Sequence, residues 1–300
     1  MTMAETVTAL GGTVQEVKKK ENTFLVTMKR LLKNKLAVIG LIIIALQIGM
    51  AIFAPLISFH DPVKQNLNAG ELPMFSEGHW LGTDNYGRDV WSRIVYGARI
   101  SLVVGFVAVS LGLFGGIILG MLGGYYKKLD GVIMRIVDLL FSFPGILLAM
   151  LIIAILGTSL INVAIAISIW SIPTCARIVR GSVLSIKEKE YIMAMKSLGA
   201  SDLRIMFKHI LPNAFAPIIV FATMRMATAI LSTASLSYLG LGAQPPSPEW
   251  GAMISQGQAF MWSSPHLTIV PGIAIMLTVF AFNVVGDGLR DAIDPNMDIQ

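Results

Sequence analysis

The sequence predicts an all-α polytopic membrane protein with six transmembrane helices, both termini in the cytoplasm, and an interfacial amphipathic helix before the first span. Of its 300 residues, 55% are hydrophobic and only 14% are charged, whereas charged residues make up about a quarter of a soluble domain. Apolar runs long enough to cross a bilayer recur along the chain. Lysine and arginine are concentrated in alternate connections between these runs, as expected of cytoplasmic loops.

The composition argues against three kinds of site. Cys175 is the single cysteine and lies in an apolar run, so a disulfide framework and a thiolate metal cluster are excluded and a packing role is expected. The four histidines lack the spacing of metal ligands, and no metal site is predicted: His60, His79, His209 and His266. The net charge of +5 comes from basic residues beside apolar runs, so nucleic-acid binding is not expected.

The amino-terminal region is predicted to contain a tail, a surface helix and an anchor. Residues 1–22 are polar without an apolar period, which predicts a mobile cytoplasmic tail. Residues 23–59 hold the interfacial helix and the first span. A helical apolar stripe surrounded by basic residues defines the interfacial helix: Phe24, Leu25, Met28, Leu31 and Leu32. The apolar run 36–59 lies too far from the amino terminus for a signal peptide, so it is predicted to be an uncleaved membrane span.

Five further apolar runs predict a membrane core over residues 98–290. These runs are residues 100–126, 131–156, 160–179, 213–241 and 267–285. Basic residues are few in the outer connections, which hold Lys64, Arg88, Arg93 and Arg99. This asymmetry places residues 60–97 outside the cell and residues 291–300 in a cytoplasmic tail.

The second span carries a row of glycines at intervals of four, with Ala108 leading it: Gly112, Gly116, Gly120 and Gly124. This spacing places the glycines on one face of a helix. In lipid, a face of small residues lets another helix approach closely. The row therefore predicts close helix packing, either within this chain or against a second membrane subunit.

The long cytoplasmic connection of residues 181–212 is both charged and apolar. Its large apolar residues before Gly199 fall at helical spacing, and the glycine permits a chain reversal. Ser201 or Asp202 can cap a second short helix. A solvated loop does not need so many large apolar residues, so the segment should press against its own helices or another protein.

The connection resembles the cytoplasmic loop of permease subunits of binding-protein-dependent ABC importers. The pattern of that family is Glu-Ala-Ala, three residues, Gly, nine residues, Ile, one residue, then Leu-Pro. The positions that match are Ala194, Gly199, Leu211 and Pro212. The positions that depart are Met193, Met195 and His209. Glu190, one turn earlier, could supply the missing carboxylate.

Three flanking stretches are similar to the second, C-type permease of the dipeptide, oligopeptide and nickel importer group. They are residues 81–102, 244–251 and 286–295. With the connection, they extend the resemblance over nearly the whole chain from about Leu31 onward. The resemblance implies a multi-pass protein of the prokaryotic cytoplasmic membrane that forms half of a path for peptides. A nickel chelate or another small peptide-like ligand is the alternative solute.

The resemblance also implies a second homologous permease, two ATPase subunits and an extracytoplasmic substrate-binding protein as partners. No GxxxxGK[ST] phosphate loop occurs in the sequence, so ATP and Mg are expected on the ATPase subunits, and this chain is expected to be non-catalytic and to bind no cofactor. Residues 181–212, named the coupling loop from here on, are then expected to meet an ATPase. The residues expected to mediate this coupling are Glu190, Ala194, Leu198, Gly199, Ala200, Ser201, Asp202, Arg204, Leu211 and Pro212.

Two alternatives concern the coupling loop and the outer segments. Pro212 is expected to fix where the fifth span begins. The coupling loop could instead be shaped only for its own folding. Outside the cell, residues 60–97 and the proline-rich stretch 244–251 are either docking surface for the substrate-binding protein or a lid packed on the helix ends.

Arg225 lies inside the fifth span, where an arginine needs water, an acidic partner or a protein interior. It is expected either to line the translocation path, meeting a peptide carboxylate, or to pair with Asp138 or a neighbouring subunit. Asn283 and Thr278 could also face the path, although single polar groups commonly join helices.

Two rival functions fit the sequence less well. An ion-driven secondary transporter is expected to carry several ionisable residues deep in its spans and often an internal repeat, whereas only Arg225 is deep here. An intramembrane hydrolase needs a nucleophile within reach of a base, but no histidine lies well inside a span.

Overall fold

The computed structural model describes residues 23–293, which fold into helices joined by loops. The predicted tail 1–22 and residues 294–300 lie outside the described residues. The last helix continues to Ile293, which lies inside the predicted cytoplasmic tail 291–300. Long apolar helices dominate the described part of the chain, as the all-α membrane class requires.

The first three helices are α1 (Thr23–Lys33), α2 (Lys35–Ile52) and α3 (Ala54–Ile57). Asn34 separates α1 from α2, and its side chain accepts hydrogen bonds from the amides of Leu36 and Ala37 at 3.1 and 3.2 Å. Leu31 is buried against Ala37 and the last helix, while most other apolar side chains of α1 are exposed. The short helix therefore has exposed apolar side chains, as an interfacial helix needs for contact with lipid.

The centre of the molecule is the pair α4 (Val90–Tyr125) and α7 (Leu160–Lys187), which make the most extensive helix contact. The second span begins at Val90, earlier than the apolar run indicates. Asp89 caps α4 by accepting from the Ser92 amide at 2.8 Å. Arg93 and Arg99 interrupt the first ten residues of this helix, so a continuous apolar run is detected only after them.

The glycine row of α4 packs directly on α7. A Cβ atom at Gly116 would overlap the side chain of Cys175, and one at Gly120 would lie 2.6 Å from the Ala176 carbonyl oxygen. The same holds for Gly112 and Gly124 against Ser171 and Val183. The row thus makes its close contact within this chain.

The third predicted span is not one straight helix. It consists of α5 (Lys127–Phe141) and α6 (Gly145–Leu156), which meet at a bend of 90°. Pro144 precedes α6, and a residue before proline avoids the helical conformation, so the helix stops short of Phe143. Within residues 23–293 there are five long spanning helices, or six crossings if this bent pair is a broken span rather than a re-entrant loop.

Helix α8 (Glu190–Ser197) is followed by α9 (Asp202–Ile205), a π-turn (Met206–Ile210) and α10 (Leu211–Tyr238). The last three run on as one candidate span from Asp202 to Tyr238. Pro212 is the second residue of α10, a position that accepts proline, although the helical run itself begins earlier, at Asp202. That Pro212 fixes where the fifth span begins stays a prediction. A proline lacks an amide hydrogen and crowds the carbonyl four residues earlier. Here the Leu211 amide donates to the Met206 carbonyl, five residues earlier, and this wider turn lets the helix continue through Pro212.

The chain ends in α11 (Trp250–Gly257) and α12 (His266–Ile293). Helix α11 lies outside the spans and packs against α12 and α10. One buried cluster fills the membrane centre between α4, α6, α7 and α10. A second cluster lies at the cytoplasmic end and a third at the outer end.

Candidate functional site

The coupling loop reverses direction at Gly199 through a defined helix C-cap. Gly199 has φ +79°, a backbone conformation that favours glycine. Its amide donates to the Lys196 carbonyl at 3.0 Å, and the Ala200 amide donates to the Met195 carbonyl at 3.1 Å. This pair of bonds is the Schellman motif, so the reversal predicted from Gly199 is held by backbone hydrogen bonds.

The helix after the reversal is tied to the membrane helices at its first residue. Ser201 takes the N-cap position, but its side chain makes no capping hydrogen bond, contrary to that part of the prediction. The Asp202 carboxylate instead accepts a hydrogen bond from the Tyr125 hydroxyl at 2.6 Å. Tyr125 ends α4, so this bond joins the coupling loop to the central helix pair.

Two further polar contacts fix the helix that leads into the coupling loop. Arg180 of α7 forms a bidentate ion pair with Asp130 of α5, with its Nη2 2.6 Å from Oδ2. The Lys187 ammonium donates to the Gly124 carbonyl at the end of α4, at 2.8 Å. The end of α7 is therefore linked to the ends of α4 and α5.

The coupling loop has a buried face and an exposed face. Ile192, Ile205 and Ile210 are buried in the cytoplasmic cluster beside the ends of α4 and α7. In contrast, Leu198 is 87% exposed and Leu203 66% exposed. The buried face anchors the loop on its own helices, and the exposed face is apolar and uncovered among the described residues.

The residues predicted to mediate coupling lie mainly on the exposed side. Exposed are Glu190, Ala194, Leu198, Gly199, Ser201, Arg204 and Pro212. Partly buried are Ala200, Asp202 and Leu211. Beside them, an open groove of about 850 Å³ separates α8 from the junction of α4 and α5. Four lysines line it: Lys127, Lys128, Lys187 and Lys196.

Arg225 is half-buried and does not pair with Asp138. Its guanidinium lies over the Trp170 ring, 4.6 Å from the ring centroid. Asp138 pairs instead with Arg177 at 2.6 Å on an exposed surface. The Nε atom of Arg225 is buried without a hydrogen-bond partner among the described residues.

The polar residues predicted in the sixth span separate into two environments. Thr278 is fully buried and accepts a hydrogen bond from Gln47 of α2 at 2.7 Å, so it joins two helices. Asn283 is half-buried. Arg225 and Asn283 are thus partly exposed and could face a translocation path, whereas Thr278 is buried between helices.

At the outer end, the stretch 81–102 builds a buried charged network. Asp84 accepts from Arg88 Nε at 2.6 Å and lies 3.6 Å from Arg93 Nε. Arg88 also donates to Gln256 of α11 at 2.9 Å, and Arg93 donates to the Pro62 carbonyl at 3.0 Å. These contacts join the segment after α3, the start of α4 and α11 into one unit.

The stretch 244–251 closes on the same unit. Trp250 is fully buried and donates to the Ile94 carbonyl at 3.1 Å. Glu249 is also fully buried and caps α11 by accepting from the Ala252 amide at 2.9 Å. Burial raises the pKa of the Glu249 carboxyl, with the capping amides acting in the opposite direction.

Sequence reasoning missed two groups of outer residues. The first group comprises Asp84, Arg88 and Arg93, in which the sequence indicates only outer charge; Asp84 and Arg88 lie in a turn-rich segment, so their spacing carries no helical signal of pairing. The second group comprises His60, His79 and Asp89, whose side chains converge. Their separation along the chain gave no signal for this convergence.

Two family models match the chain. Residues 112–299 match the family described as "Binding-protein-dependent transport system inner membrane component". Residues 24–73 match the "N-terminal TM domain of oligopeptide transport permease C". Together these matches include α1, the first span and the coupling loop.

Curated relatives are similar over most of their length. The dipeptide transport system permease protein DppC of Alkalihalophilus pseudofirmus is 53% identical over 270 residues, which are 90% of this chain and 88% of that protein. The glutathione transport system permease protein GsiD of Pectobacterium atrosepticum is 47% identical over 274 residues, 90% of each chain.

Solved structures show the same fold at low sequence identity. An inward-facing conformation of the MetNI methionine ABC transporter aligns with a TM-score of 0.56 and 22% identity, covering 67% of this chain and 96% of that one. An amino acid ABC transporter crystallised with histidines aligns with a TM-score of 0.51 and 17% identity, covering 66% and 92%.

Proposed function

We propose that this chain, which belongs to the family of binding-protein-dependent transport system inner membrane components, is the C-type permease subunit of a peptide ABC importer. It is a multi-pass protein of the inner membrane. Its relatives are named for dipeptides and glutathione, both small peptides, which favours a small peptide as solute. In this proposal the chain forms half of the path, and a second homologous permease forms the rest.

The exposed apolar face of the coupling loop is the observation that carries the proposal. Leu198 and Leu203 project from a segment whose opposite face is buried in the chain's own core. A loop shaped only for its own folding would not hold large apolar side chains in water. The arrangement suits a lever, formed by α8 and α9, that docks into another protein. We propose that this protein is one of two ATPase subunits.

Movement of this lever would pass directly into the membrane. The chain from Asp202 to Tyr238 is one helical candidate span, so a push at Ser201 acts at the end of α10. The Asp202–Tyr125 hydrogen bond carries the same push to α4. Binding of ATP and Mg by the ATPases would then shift the bundle between conformations open to one side or the other. This chain supplies no catalytic residue in that cycle.

The path is proposed to pass Arg225 and Asn283. An unpaired guanidinium nitrogen stacked on Trp170 can attract the carboxylate of a passing peptide without holding it by an ion pair. A buried ion pair would bind the peptide more tightly and hinder its release. Outside, exposed Phe75 and Trp262 offer apolar contacts to a substrate-binding protein beside the closely packed outer unit.

The test is transport by the assembled complex in proteoliposomes. Co-expression with the second permease and the ATPases should give ATP hydrolysis stimulated by peptide-loaded binding protein, together with uptake of a labelled dipeptide. The chain alone should hydrolyse no ATP. Uptake by the chain alone under a proton gradient would contradict the proposal and support a secondary transporter.

A further inference from the structure

Two histidines and an aspartate meet at the outer end of the molecule. His60 follows α3, His79 lies in the turn-rich segment after it, and Asp89 is the N-cap of α4. His79 Nδ1 lies 2.8 Å and His60 Nδ1 3.9 Å from Asp89 Oδ1. One ligand-type atom from each residue lies within 4.8 Å of the other two.

The Asp89 carboxylate is oriented by Ser92. Its Oδ2 atom accepts from the Ser92 amide at 2.8 Å and from the Ser92 hydroxyl at 2.7 Å. Its Oδ1 atom therefore faces the two imidazoles. The Ser92 hydroxyl also accepts from the His60 amide at 3.2 Å, which holds the His60 backbone beside the carboxylate. Such outer hydrogen bonds orient the ligands in metal sites.

The three groups differ in burial in a way that leaves one side open. The side chain of Asp89 is 2% exposed and that of His79 16% exposed, whereas that of His60 is 43% exposed. The two imidazole rings are stacked, with centroids 4.6 Å apart. His60 can therefore turn towards a shared centre, and water can occupy a further coordination position on its side.

The donor set suits a borderline divalent ion. Two imidazole nitrogens and one carboxylate oxygen are ligands that Zn²⁺ binds at about 2.0–2.2 Å. At tetrahedral angles those bonds place ligand atoms about 3.3 Å apart, a separation within the range from 2.8 Å to 4.8 Å that the three atoms span here. Hard cations such as Mg²⁺ and Ca²⁺ prefer all-oxygen sites.

We propose that His60, His79 and Asp89 form a Zn²⁺-type metal site on the extracytoplasmic face. The ion would join the end of the first span, the outer segment and the start of α4, and so add to the hydrogen bonds and aromatic contacts that already link them there. The site is separate from the coupling loop and does not depend on the transport function. Its role is to brace the outer segment.

The full chain, purified in nanodiscs with a purification tag free of histidine, tests the site. After equilibration with Zn²⁺ and removal of free ion, metal analysis should find one bound zinc per chain. Co²⁺ in its place should give the visible absorption of a tetrahedral site, and Mg²⁺ should not compete. A wild-type chain that retains no zinc would overturn the proposal.

His60→Asn is the informative variant, because His60 is the most exposed ligand and its loss should not impair folding. It should weaken zinc binding more than about tenfold. His209→Asn, the same change in the cytoplasmic π-turn, is the matched control and should bind like wild type. Zinc should also slow hydrogen exchange between residues 58 and 80 in wild type but not in His60→Asn. Equal binding by His60→Asn and wild type would show that the zinc lies elsewhere.

Discussion

At the residue scale, the outer end stands out because it buries charge. Arg88, Arg93 and Glu249 are each almost fully buried, yet they lie on the water side of the membrane helices. The arginines share Asp84, whereas Glu249 meets only amide and hydroxyl donors. Burial therefore raises the pKa of its carboxyl, against the lowering effect of these donors.

Glu249→Gln tests whether this pKa is raised. A carboxyl whose pKa is raised by folding stabilises the protein fully below its unfolded pKa of about 4.3, and that contribution is lost as pH rises through the folded pKa. Glutamine stays uncharged, so the thermal midpoint of the variant should rise relative to wild type as pH increases. Thermal unfolding in detergent across acid to neutral pH measures the difference. A constant difference at all pH values would contradict the raised pKa.

Gly116→Ala tests the contact between α4 and α7. The added Cβ would overlap Cys175, and overpacking of this kind costs about 1–3 kcal/mol. The thermal midpoint of the purified chain should fall accordingly. Gly131→Ala in α5 is the matched control, because no atom lies within 4 Å of a Cβ there. Equal midpoints for the two variants would show that the glycine row does not pack tightly on α7.

Residue pairing was the least predictable level. The glycine row could be identified because its spacing is regular and local. The partners of Arg225 and Asp138 could not, because both residues find theirs on α7, far away in sequence. The convergence of His60, His79 and Asp89 depends on how an irregular outer segment folds back, for which the sequence carries no period.

At the element scale, the coupling loop places the short helix α8 between two longer helices, α7 and the helix Asp202–Tyr238. Helix α8 is linked to the Asp202–Tyr238 helix by the reversal at Gly199. The π-turn before Pro212 lies inside that longer helix, so the helical backbone continues from the lever into the span. Displacement of the lever should therefore be transmitted with little loss.

Leu198→Asp tests the lever's exposed face. The side chain is 87% exposed, so the change should leave folding intact while placing a charge in the proposed interface. Affinity for the ATPase subunits should fall at least about tenfold, or about 1.4 kcal/mol. Leu67→Asp, at an equally solvated outer position, should leave ATPase binding unchanged. Co-purification of the subunits measures both variants, and unimpaired binding by Leu198→Asp would contradict docking at this face.

Helices were predictable where the hydrophobic signal is continuous. Five of the six apolar runs correspond to long spanning helices, because burial in lipid requires both length and apolarity. The third, 131–156, corresponds to two helices that meet at a bend of 90°. Their ends were less predictable, since α4 begins at Val90, capped by Asp89, well before its continuous apolar run. Proline alone did not predict where a helix ends. The chain bends at Pro144, whereas the π-turn before Pro212 lets the helix continue.

At the scale of the whole molecule, the chain has a closely packed unit at each end of the membrane bundle. The outer unit is closed by buried charge and Trp250, and the cytoplasmic unit presents an anchored lever with an apolar outer face. The sequence predicted the fold class, because it depends on composition and on the length of the apolar runs. The sidedness stays a prediction from the charge distribution. It could not reveal which outer residues are buried, because that depends on contacts between distant segments.

The most direct test of the account is crosslinking from Ser201 in the assembled, transport-competent complex. Ser201→Cys, made with the buried Cys175 replaced by alanine, should crosslink to an ATPase subunit and should react with a membrane-impermeant thiol reagent only after the membrane is opened. Ser263→Cys, an exposed outer position, should show the reverse pattern. A Ser201→Cys chain that is labelled from outside, or that never reaches an ATPase in an active complex, would contradict the account.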